Sequence, residues 1–428
     1  MELVSSESID TLDSLCSSIR VDLKGSEVVR ILPRRNDLTN QDWITNKTRY
    51  SFDGLKNQRF SYPMLYVKDV SSFKISTWDS FYSSFNLNYL SSISSSSFGT
   101  FELGNGLDLY TIYLSNLLAR SLSFVSTSNN LFNSDLRASY LCSSFSNIDT
   151  SDLIYINGND FSTSFPLINA RIQQKLNSKK PSTVLYSGLN HKFNYDVYHF
   201  GLSNFSTFSF FRGKHFCSSF LNLTKRISIF SESTFLNSIA CSVPCSNNIN
   251  FNLLMHDTTS IGSAELGSLY GGSTVLNYSF YYGLNLSVLP CSTLSSFCVL
   301  HSTHSKVSLS ALRSSNVSTV WYLPTFSALE SEYPYINLLG MIQWTRKCSS
   351  SFGESVTYED VLRRLISLNS FNNFDLSFDR FISKVPSLCG DSLLPNISFL
   401  RNSKTQSFSN LSFKRSDSPF VEFCSIKL

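Results

Sequence analysis

The sequence predicts an α/β fold in which a small N-terminal β-rich domain precedes larger domains built on parallel sheets. Three observations favour it. Residues 18–33 read as a β-hairpin, residues 152–188 read as a strand, a helix and a strand, and 42% of the 428 residues are hydrophobic against 15% charged. A strand–helix–strand order with short connections is typical of parallel sheets covered by helices. The composition excludes intrinsic disorder.

The N-terminal domain is predicted to cover residues 1–62. Within it, Ile19, Val21 and Leu23 alternate with polar residues, "KGSE" supplies a turn, and a return strand runs to Pro33. Alternation that is interrupted by Gly and Ser indicates a half-buried hairpin. We therefore expect a small β-rich unit before the main α/β region.

The α/β region is predicted over residues 63–369. Strands are expected at residues 152–158, 182–188, 225–232, 298–302 and 317–324, and helices at residues 107–124, 166–176 and 357–368. Pro166 suits the first turn of a helix, where its missing N–H is harmless. Thr357 and Asp360 have the spacing of a capping box. Residues 370–428 lack a clear period and are expected to form an irregular C-terminal extension.

Charge and hydropathy patterning exclude several classes of protein. The net charge of +4 is too small and too evenly spread for a nucleic-acid-binding protein. No window approaches the ~18 apolar residues of a spanning helix, so no direct membrane span is expected. The polar start "MELVSSESID" fits neither a signal peptide nor a transit peptide. N-x-S/T triplets recur, but in a Ser- and Asn-rich chain chance explains them better than secretion and glycosylation.

Motifs that carry chemistry are scarce. The first strand–helix turn, "GNDFSTSFP", holds only Gly158 of the glycines that a dinucleotide site needs. His301 and His304 in "HSTH" lack an evident third zinc ligand, and the sequence contains neither C-x-x-C nor G-x-S-x-G. The ten cysteines are scattered, which favours reduced, buried thiols. We therefore predict no catalytic residue and no metal site.

Several segments resemble one known family. They are "SESIDTLDSL" and "VVRILPRRNDLTNQDWITNKTRYSFDGLKNQRF" near the start, "PLINARIQQKL" at residues 166–176 and "LPTFSALESEYPYINLLGMIQ" at residues 323–343. In collinear order they resemble the large iron–sulphur (75-kDa-type) subunit of respiratory complex I, the NADH:ubiquinone oxidoreductase. The N-terminal run is highly specific, and the later segments are individually modest.

The resemblance implies a molybdopterin oxidoreductase-like fold with Rossmann-like parallel-sheet domains. It implies that the chain is the C-terminal half of that subunit, in a split form encoded in the mitochondrion. The expected place is the peripheral (matrix) arm of complex I, at the matrix side of the inner membrane. There the chain would support NADH-to-ubiquinone electron transfer in the respiratory chain without itself being catalytic. The alternative is an active molybdopterin-dependent oxidoreductase of the formate dehydrogenase type, which the missing glycine-rich turns disfavour.

The resemblance also gives positions for an iron–sulphur site. Some family members hold a [4Fe–4S] cluster in this domain, and its ligand positions correspond to Ile9, Leu12, Cys16 and Thr45. Because one thiol remains where a cluster needs about four ligands, we expect no cofactor in this chain. Iron–sulphur clusters and FMN are expected in partner subunits. The expected partners are complex I subunits, especially a chain that carries the missing N-terminal iron–sulphur half.

Arginines and aromatic residues are concentrated between residues 28 and 59. This composition is typical of interface cores, and it is equally compatible with residues that only stabilise the small β domain. The candidate interface residues are Arg30, Arg34, Arg35, Trp43, Lys47, Arg49, Tyr50 and Arg59.

Overall fold

The computed structural model contains four sheets and the helices that cover them. It describes residues 2–55, 57, 59–69, 72–93, 99–121, 125–128, 146–158, 161–178, 182–188, 193–199, 201, 204–232, 249–266, 269–270, 278–282, 297–304 and 318–368. The strands are β1 Val4–Ile9, β2 Ser18–Lys24, β3 Glu27–Pro33, β4 Met64–Val67, β5 Ser72–Ile75, β6 Gly99–Leu103, β7 Val125–Ser128, β8 Leu153–Asn157, β9 Thr183–Ser187, β10 Tyr198–His199, β11 Ile227–Glu232, β12 Ile249–Leu254, β13 Leu269–Tyr270, β14 Tyr278–Tyr282, β15 Phe297–Ser302, β16 Thr319–Pro324, β17 Pro334–Ile336 and β18 Ile342–Trp344. The helices are α1 Asn46–Tyr50, α2 Trp78–Ile93, α3 Leu109–Ser121, α4 Ser146–Thr150, α5 Phe161–Ser164, α6 Pro166–Leu176, α7 Asn204–Phe211, α8 Ser219–Leu223, α9 Thr258–Leu266 and α10 Tyr358–Leu368, with 3-10 helices at Ser51–Leu55 and Phe216–Ser218.

The N-terminal domain is built on an antiparallel sheet in the order β1-β2-β3. Gly25 has φ +67° in the turn between β2 and β3, a conformation that glycine adopts without a steric penalty. The inward side chains of β2 and β3, among them Val21 and Ile31, pack in one cluster with Ile44 and Leu329. The predicted hairpin is therefore confirmed, and its core is closed by a residue from the far end of the chain.

The largest sheet has eight strands in the order β13-β7-β6-β14-β15-β16-β4-β5. Its strands run parallel except at one edge, where β4 is antiparallel to β16 and β5 is antiparallel to β4. Phe101, Val299 and Trp321 occupy one row across its centre and pack in a core with apolar side chains of α2, α3 and α10.

A five-stranded parallel sheet is inserted in the chain between β7 and β13, in the order β10-β9-β8-β11-β12. The chain passes from β8 outward to β10 on one side, and then builds β11 and β12 on the other. The direction of winding therefore reverses between β8 and β11. Parallel sheets bind ligands at such a switch point, outside the carboxyl ends of the strands.

The segment at residues 323–343 forms the end of β16 and the β17–β18 hairpin. Asn337 is buried and accepts hydrogen bonds from the backbone N–H groups of Leu339 (3.0 Å) and Met341 (2.9 Å). Its amide donates to Gln343 (3.1 Å), and Gly340 takes φ +72° in the turn. The Asn, Gly and Gln of this motif thus build a tight turn.

The predicted fold class is confirmed. The predicted strands correspond to β8, β9, β11, β15 and β16, and the predicted helices correspond to α3, α6 and α10. Asp108 and Thr357 supply side-chain oxygens at the starts of α3 and α10, where Thr111 N–H (2.8 Å) and Asp360 N–H (3.1 Å) donate to them. The sequence analysis missed α2, β1, β12 and β14. In α2, Ser and Asn, which are poor helix formers, blur the helical period.

Two further expectations concern the extent of the chain. The predicted domain limits at residues 62 and 369 stay predictions, and the expected C-terminal extension, residues 370–428, lies outside the described residues. Among the helices that the structure describes, none combines the length and the apolar composition needed to cross a membrane.

Candidate functional site

The arginine-rich segment follows the hairpin and presents most of its candidate interface residues to solvent. Trp43 is 64% exposed and Tyr50 is 62% exposed, values that are unusual for aromatic side chains in the interior of a domain. Arg30 pairs with Asp22 on the outer face of the sheet (2.7 Å), and Arg34 pairs with Glu7 (2.9 Å). We call these candidate residues the N-terminal surface; its members are Arg30, Arg34, Arg35, Trp43, Lys47, Arg49 and Tyr50, of which Arg49 is partly buried and the others are exposed.

Arg59 does not belong to this surface, and its assignment as an interface residue requires correction. Its side chain is 1% exposed and forms a bidentate ion pair with Glu330, at 2.6 and 2.8 Å. Its guanidinium also donates to the backbone oxygen of Thr325 (3.1 Å), and Glu330 accepts from the N–H of Ser327 (2.8 Å). Arg59 therefore ties the end of the N-terminal region to the loop after β16.

The four positions aligned with cluster ligands lie on two adjacent segments. Ile9, Leu12 and Cys16 lie at the end of β1 and in the loop before β2, and Thr45 caps the start of α1. The Thr48 hydroxyl of α1 donates to Asp10 of that loop in a short hydrogen bond, which holds the two segments together. Cys16 is fully buried with φ +49°.

A cavity of about 360 Å³ separates the N-terminal domain from the carboxyl ends of β6, β15 and β16. Asp10 lines it on one side and Asp108 on the other, and both carboxyl groups are almost completely buried. Burial raises the pKa of Asp10 to about 6, and nearby Asp13 adds to the effect. Burial also raises the pKa of Asp108 to about 6. Groups of this kind can hold and release a proton near neutral pH.

The two histidines of "HSTH" have structural surroundings. His301 lies inside the sheet core with its ring 4.6 Å from that of Tyr358 and 6.1 Å from that of Trp78, between centroids. Burial lowers the pKa of His301 to about 3, so the ring is neutral. His304 Nε2 lies 2.8 Å from the backbone oxygen of Gly54, a contact that links β15 to the N-terminal region. Both rings therefore have structural contacts, and the absence of zinc at these histidines stays a prediction.

The switch point of the five-stranded sheet does not fit an anionic cofactor. Gly158 ends β8 there, and an added Cβ would lie 2.6 Å from Oε1 of Glu232, at the end of β11. Glu232 is 3% exposed. A carboxylate packed against the turn would repel the pyrophosphate of a dinucleotide, which needs N–H donors and close approach to glycine backbone. The alternative of an active molybdopterin enzyme therefore gains no support from this edge.

Two family models match consecutive parts of the chain. Residues 3–53 match the family model "NADH-ubiquinone oxidoreductase NDSU1/NuoG-like, 4Fe-4S domain". Residues 59–240 match the model "Molybdopterin oxidoreductase". The two matches cover the N-terminal domain, the first part of the eight-stranded sheet and most of the five-stranded sheet.

Similarity to individual proteins extends over most of the chain. The 75 kDa subunit of NADH-ubiquinone oxidoreductase from Acanthamoeba castellanii is 32% identical over 402 residues, which are 88% of this chain and 58% of that subunit. The corresponding subunit from Reclinomonas americana is 26% identical over 431 residues, 90% of this chain and 61% of the relative. The chain is a homologue of these subunits. It spans about three-fifths of their length.

The most conspicuous local match involves a fungal relative. The mitochondrial 78 kDa subunit from Neurospora crassa is 53% identical over 78 residues, or 18% of this chain. This identity is well above the 32% found over the longer alignment. Similarity within the group is therefore uneven along the chain.

The 4Fe-4S match contradicts the expectation that this chain holds no cofactor of its own, because it identifies residues 3–53 as an iron–sulphur domain. That expectation counted thiols at four aligned positions, whereas the match depends on the whole domain.

The donors around Cys16 do not fit a cluster held by four thiolates. Cys16 is the single cysteine in residues 3–53, and burial together with Asp13 and Asp10 raises the pKa of its thiol. Across the described residues, no three His, Cys, Asp or Glu side chains are grouped as metal ligands.

Sequence reasoning missed the buried acids. Asp108 lies within the predicted helix at residues 107–124, and Glu330 lies within the family-like segment at residues 323–343. For Asp108, the apolar run that follows it indicates a helix cap, but it does not indicate that the cap is buried. For Glu330, no local signal existed, since its partner Arg59 lies 271 residues away.

Proposed function

We propose that this chain is a subunit of the peripheral arm of respiratory complex I, at the matrix side of the mitochondrial inner membrane. In this proposal it supports the NADH-to-ubiquinone electron transfer of that complex. The observation that carries the proposal is the similarity to 75 kDa subunits of NADH-ubiquinone oxidoreductase over 88% of the chain. The scaffold of this chain would then position its neighbours rather than turn over a substrate.

The proposal extends to the gene. We infer that a mitochondrial gene encodes the present chain. The Phe-, Ser- and Asn-rich composition is compatible with a biased organelle genome.

The N-terminal surface is the proposed contact with other subunits. Trp43 and Tyr50 are each more than three-fifths exposed, and Arg35 is 70% exposed beside them in sequence. Trp, Tyr and Arg are enriched among the residues that contribute most of the binding free energy in many interfaces. Trp and Tyr bury a large area with few rotatable bonds, and Arg supplies charge and several N–H donors. Within this chain the exposed rings have no packing role comparable to that of Trp321 in the sheet core.

The test is co-purification of the tagged full chain from mitochondria of its native cell. We expect complex I subunits to accompany it. Trp43→Ser with Tyr50→Ser should lower the assembled fraction about tenfold. Ile75→Ser, at a residue that is 75% exposed on β5, is the matched control and should assemble as the wild type does. A folded chain that purifies without complex I subunits would refute the proposal.

A further inference from the structure

The outer side of α7 and α8 carries exposed apolar residues. The two helices pack inward on the five-stranded sheet, where Phe210 is fully buried and stacks on Tyr155 with centroids 5.8 Å apart. Three other side chains of this layer point to solvent: Phe205 is 75% exposed, Phe216 is 77% exposed and Leu223 is 79% exposed. Few large apolar side chains in the described residues are as exposed, which suggests a contact with another molecule.

The same layer is strongly cationic. Residues 197–231 contain no Asp or Glu. The exposed cations of the layer are Arg212, Lys214, Lys225 and Arg226. Two exposed acids lie near its border, Asp152 and Asp196. The Asp152 carboxylate accepts the backbone N–H groups of Lys225 and Arg226, each at 3.2 Å. The charge of the layer therefore remains positive, in a chain whose overall net charge is only +4.

We propose that this outer helical surface, formed by the three apolar residues and the four cations, binds an acidic segment of a partner polypeptide that also carries large apolar side chains. Charge complementarity selects Asp and Glu in the partner, and suppresses cationic partners by repulsion. The exposed rings and Leu223 require apolar side chains between those acids, since interface anchors pair with one another.

The geometry favours a polypeptide over a lipid surface. A helix that lies on a membrane presents one continuous apolar face to the lipid and its charges to water. In α7, the apolar side that includes Phe210 is turned into the protein. The exposed apolar residues instead stand singly, on α7, on the 3-10 helix at Phe216–Ser218 and on α8. Arg212 and Lys214 lie between the first two of them, and Lys225 and Arg226 follow Leu223. Such an alternation suits a segment with alternating acidic and apolar side chains.

Direct binding tests this proposal with the full chain and a synthetic amphipathic peptide of Glu and Leu as the ligand. Fluorescence anisotropy should detect binding that weakens as salt is added, because the exposed charges are screened. Lys214→Glu with Lys225→Glu, and separately Phe216→Ser with Leu223→Ser, should each weaken binding about tenfold. The exposed control pair Lys74→Glu with Lys347→Glu should bind as the wild type does.

Three results would overturn the proposal. They are equal binding of the wild type and the surface variants, equal binding of a Lys and Leu peptide, and binding of anionic phosphatidylglycerol vesicles in place of the peptide. Lys214→Arg with Lys225→Arg keeps the charge and should retain binding, which separates a lost contact from a damaged fold. The Trp43 and Tyr50 variants should bind the peptide normally, so failure of the complex I proposal and failure of this one give different results.

Discussion

Arg30 and Arg59 come from the same arginine-rich segment, yet they occupy opposite environments. The Arg30 side chain is 53% exposed and shares buried Asp22 with Arg20 and with the hydroxyl of Ser5. The Arg59 side chain is 1% exposed and is the bidentate partner of buried Glu330. The first pair has a substitute if one arginine is lost, and water reaches it. The Arg59–Glu330 pair has neither a substitute nor access to water. Arginines from segments of similar composition therefore serve a surface at Arg30 and the junction between two parts of the molecule at Arg59.

The largest expected effect is that of breaking the buried pair. Arg59→Met leaves the Glu330 carboxylate buried without its cation, and we expect the free energy of unfolding to fall by about 3–5 kcal/mol. The effect arises chiefly from the unpaired charge, because the Met side chain fills most of the space of the arginine stem. Urea unfolding of the full chain, followed by circular dichroism, measures it.

The double variant Arg59→Met with Glu330→Met is the control for this prediction. It removes both charges, and replacement of a buried ion pair by apolar residues is often close to neutral. We therefore expect the double variant to be more stable than Arg59→Met alone. If Arg59→Met unfolds at the wild-type urea concentration, the junction has no such role.

A smaller effect, which depends on pH, is expected at Asp108. Burial raises the pKa of this carboxyl from 3.8 to about 6 in the folded protein. Below the ordinary pKa of 3.8, the Asp108 carboxyl is protonated in both the folded and the unfolded chain, and its contribution to stability is complete. As the pH rises through the folded pKa, the unfolded chain releases the proton more readily, and that stability is lost.

Asp108→Asn should remove this dependence and keep the helix cap, since Asn caps helices as well as Asp does. The free energy of unfolding of the variant relative to the wild type should rise by about 3 kcal/mol between about pH 4 and about pH 7. Urea titrations at a series of pH values measure the difference between the two proteins. A difference that stays constant over this range would show that the carboxyl does not titrate in the folded chain as described.

The comparison also shows what local sequence can reveal. Alternation at Ile19, Val21 and Leu23 predicted the hairpin because a strand with one buried face has a period of two. Pro166 predicted the start of α6 because its ring is tolerated only in the first helical turn. Both signals depend on residues within one turn or one strand of each other.

Properties that depend on distant residues or on a whole domain could not be predicted from such local signals. The burial of Arg59 depends on Glu330, 271 residues away, and nothing near Arg59 distinguishes it from the exposed Arg35. The cofactor prediction was wrong for a related reason. It rested on one aligned thiol, Cys16, whereas membership of the 4Fe-4S domain family is carried by residues 3–53 together.

The smallest effect on the free energy of unfolding is expected at the exposed ion pair between Arg30 and Asp22. Burial alone would raise the pKa of Asp22, but hydrogen bonds from Arg30 and Ser5 and the charge of Arg20 outweigh it, and the pKa is lowered. Arg30→Met should therefore reduce the free energy of unfolding at neutral pH by only about 1 kcal/mol, because Arg20 remains 3.1 Å from the carboxylate and both arginines are about half exposed. The stability that a lowered carboxyl pKa provides is present above the ordinary pKa and is lost as the pH falls through the folded value. The difference between Arg30→Met and the wild type in urea unfolding should accordingly shrink in acid, whereas a loss as large as that of Arg59→Met would mean that exposure does not set the strength of these pairs.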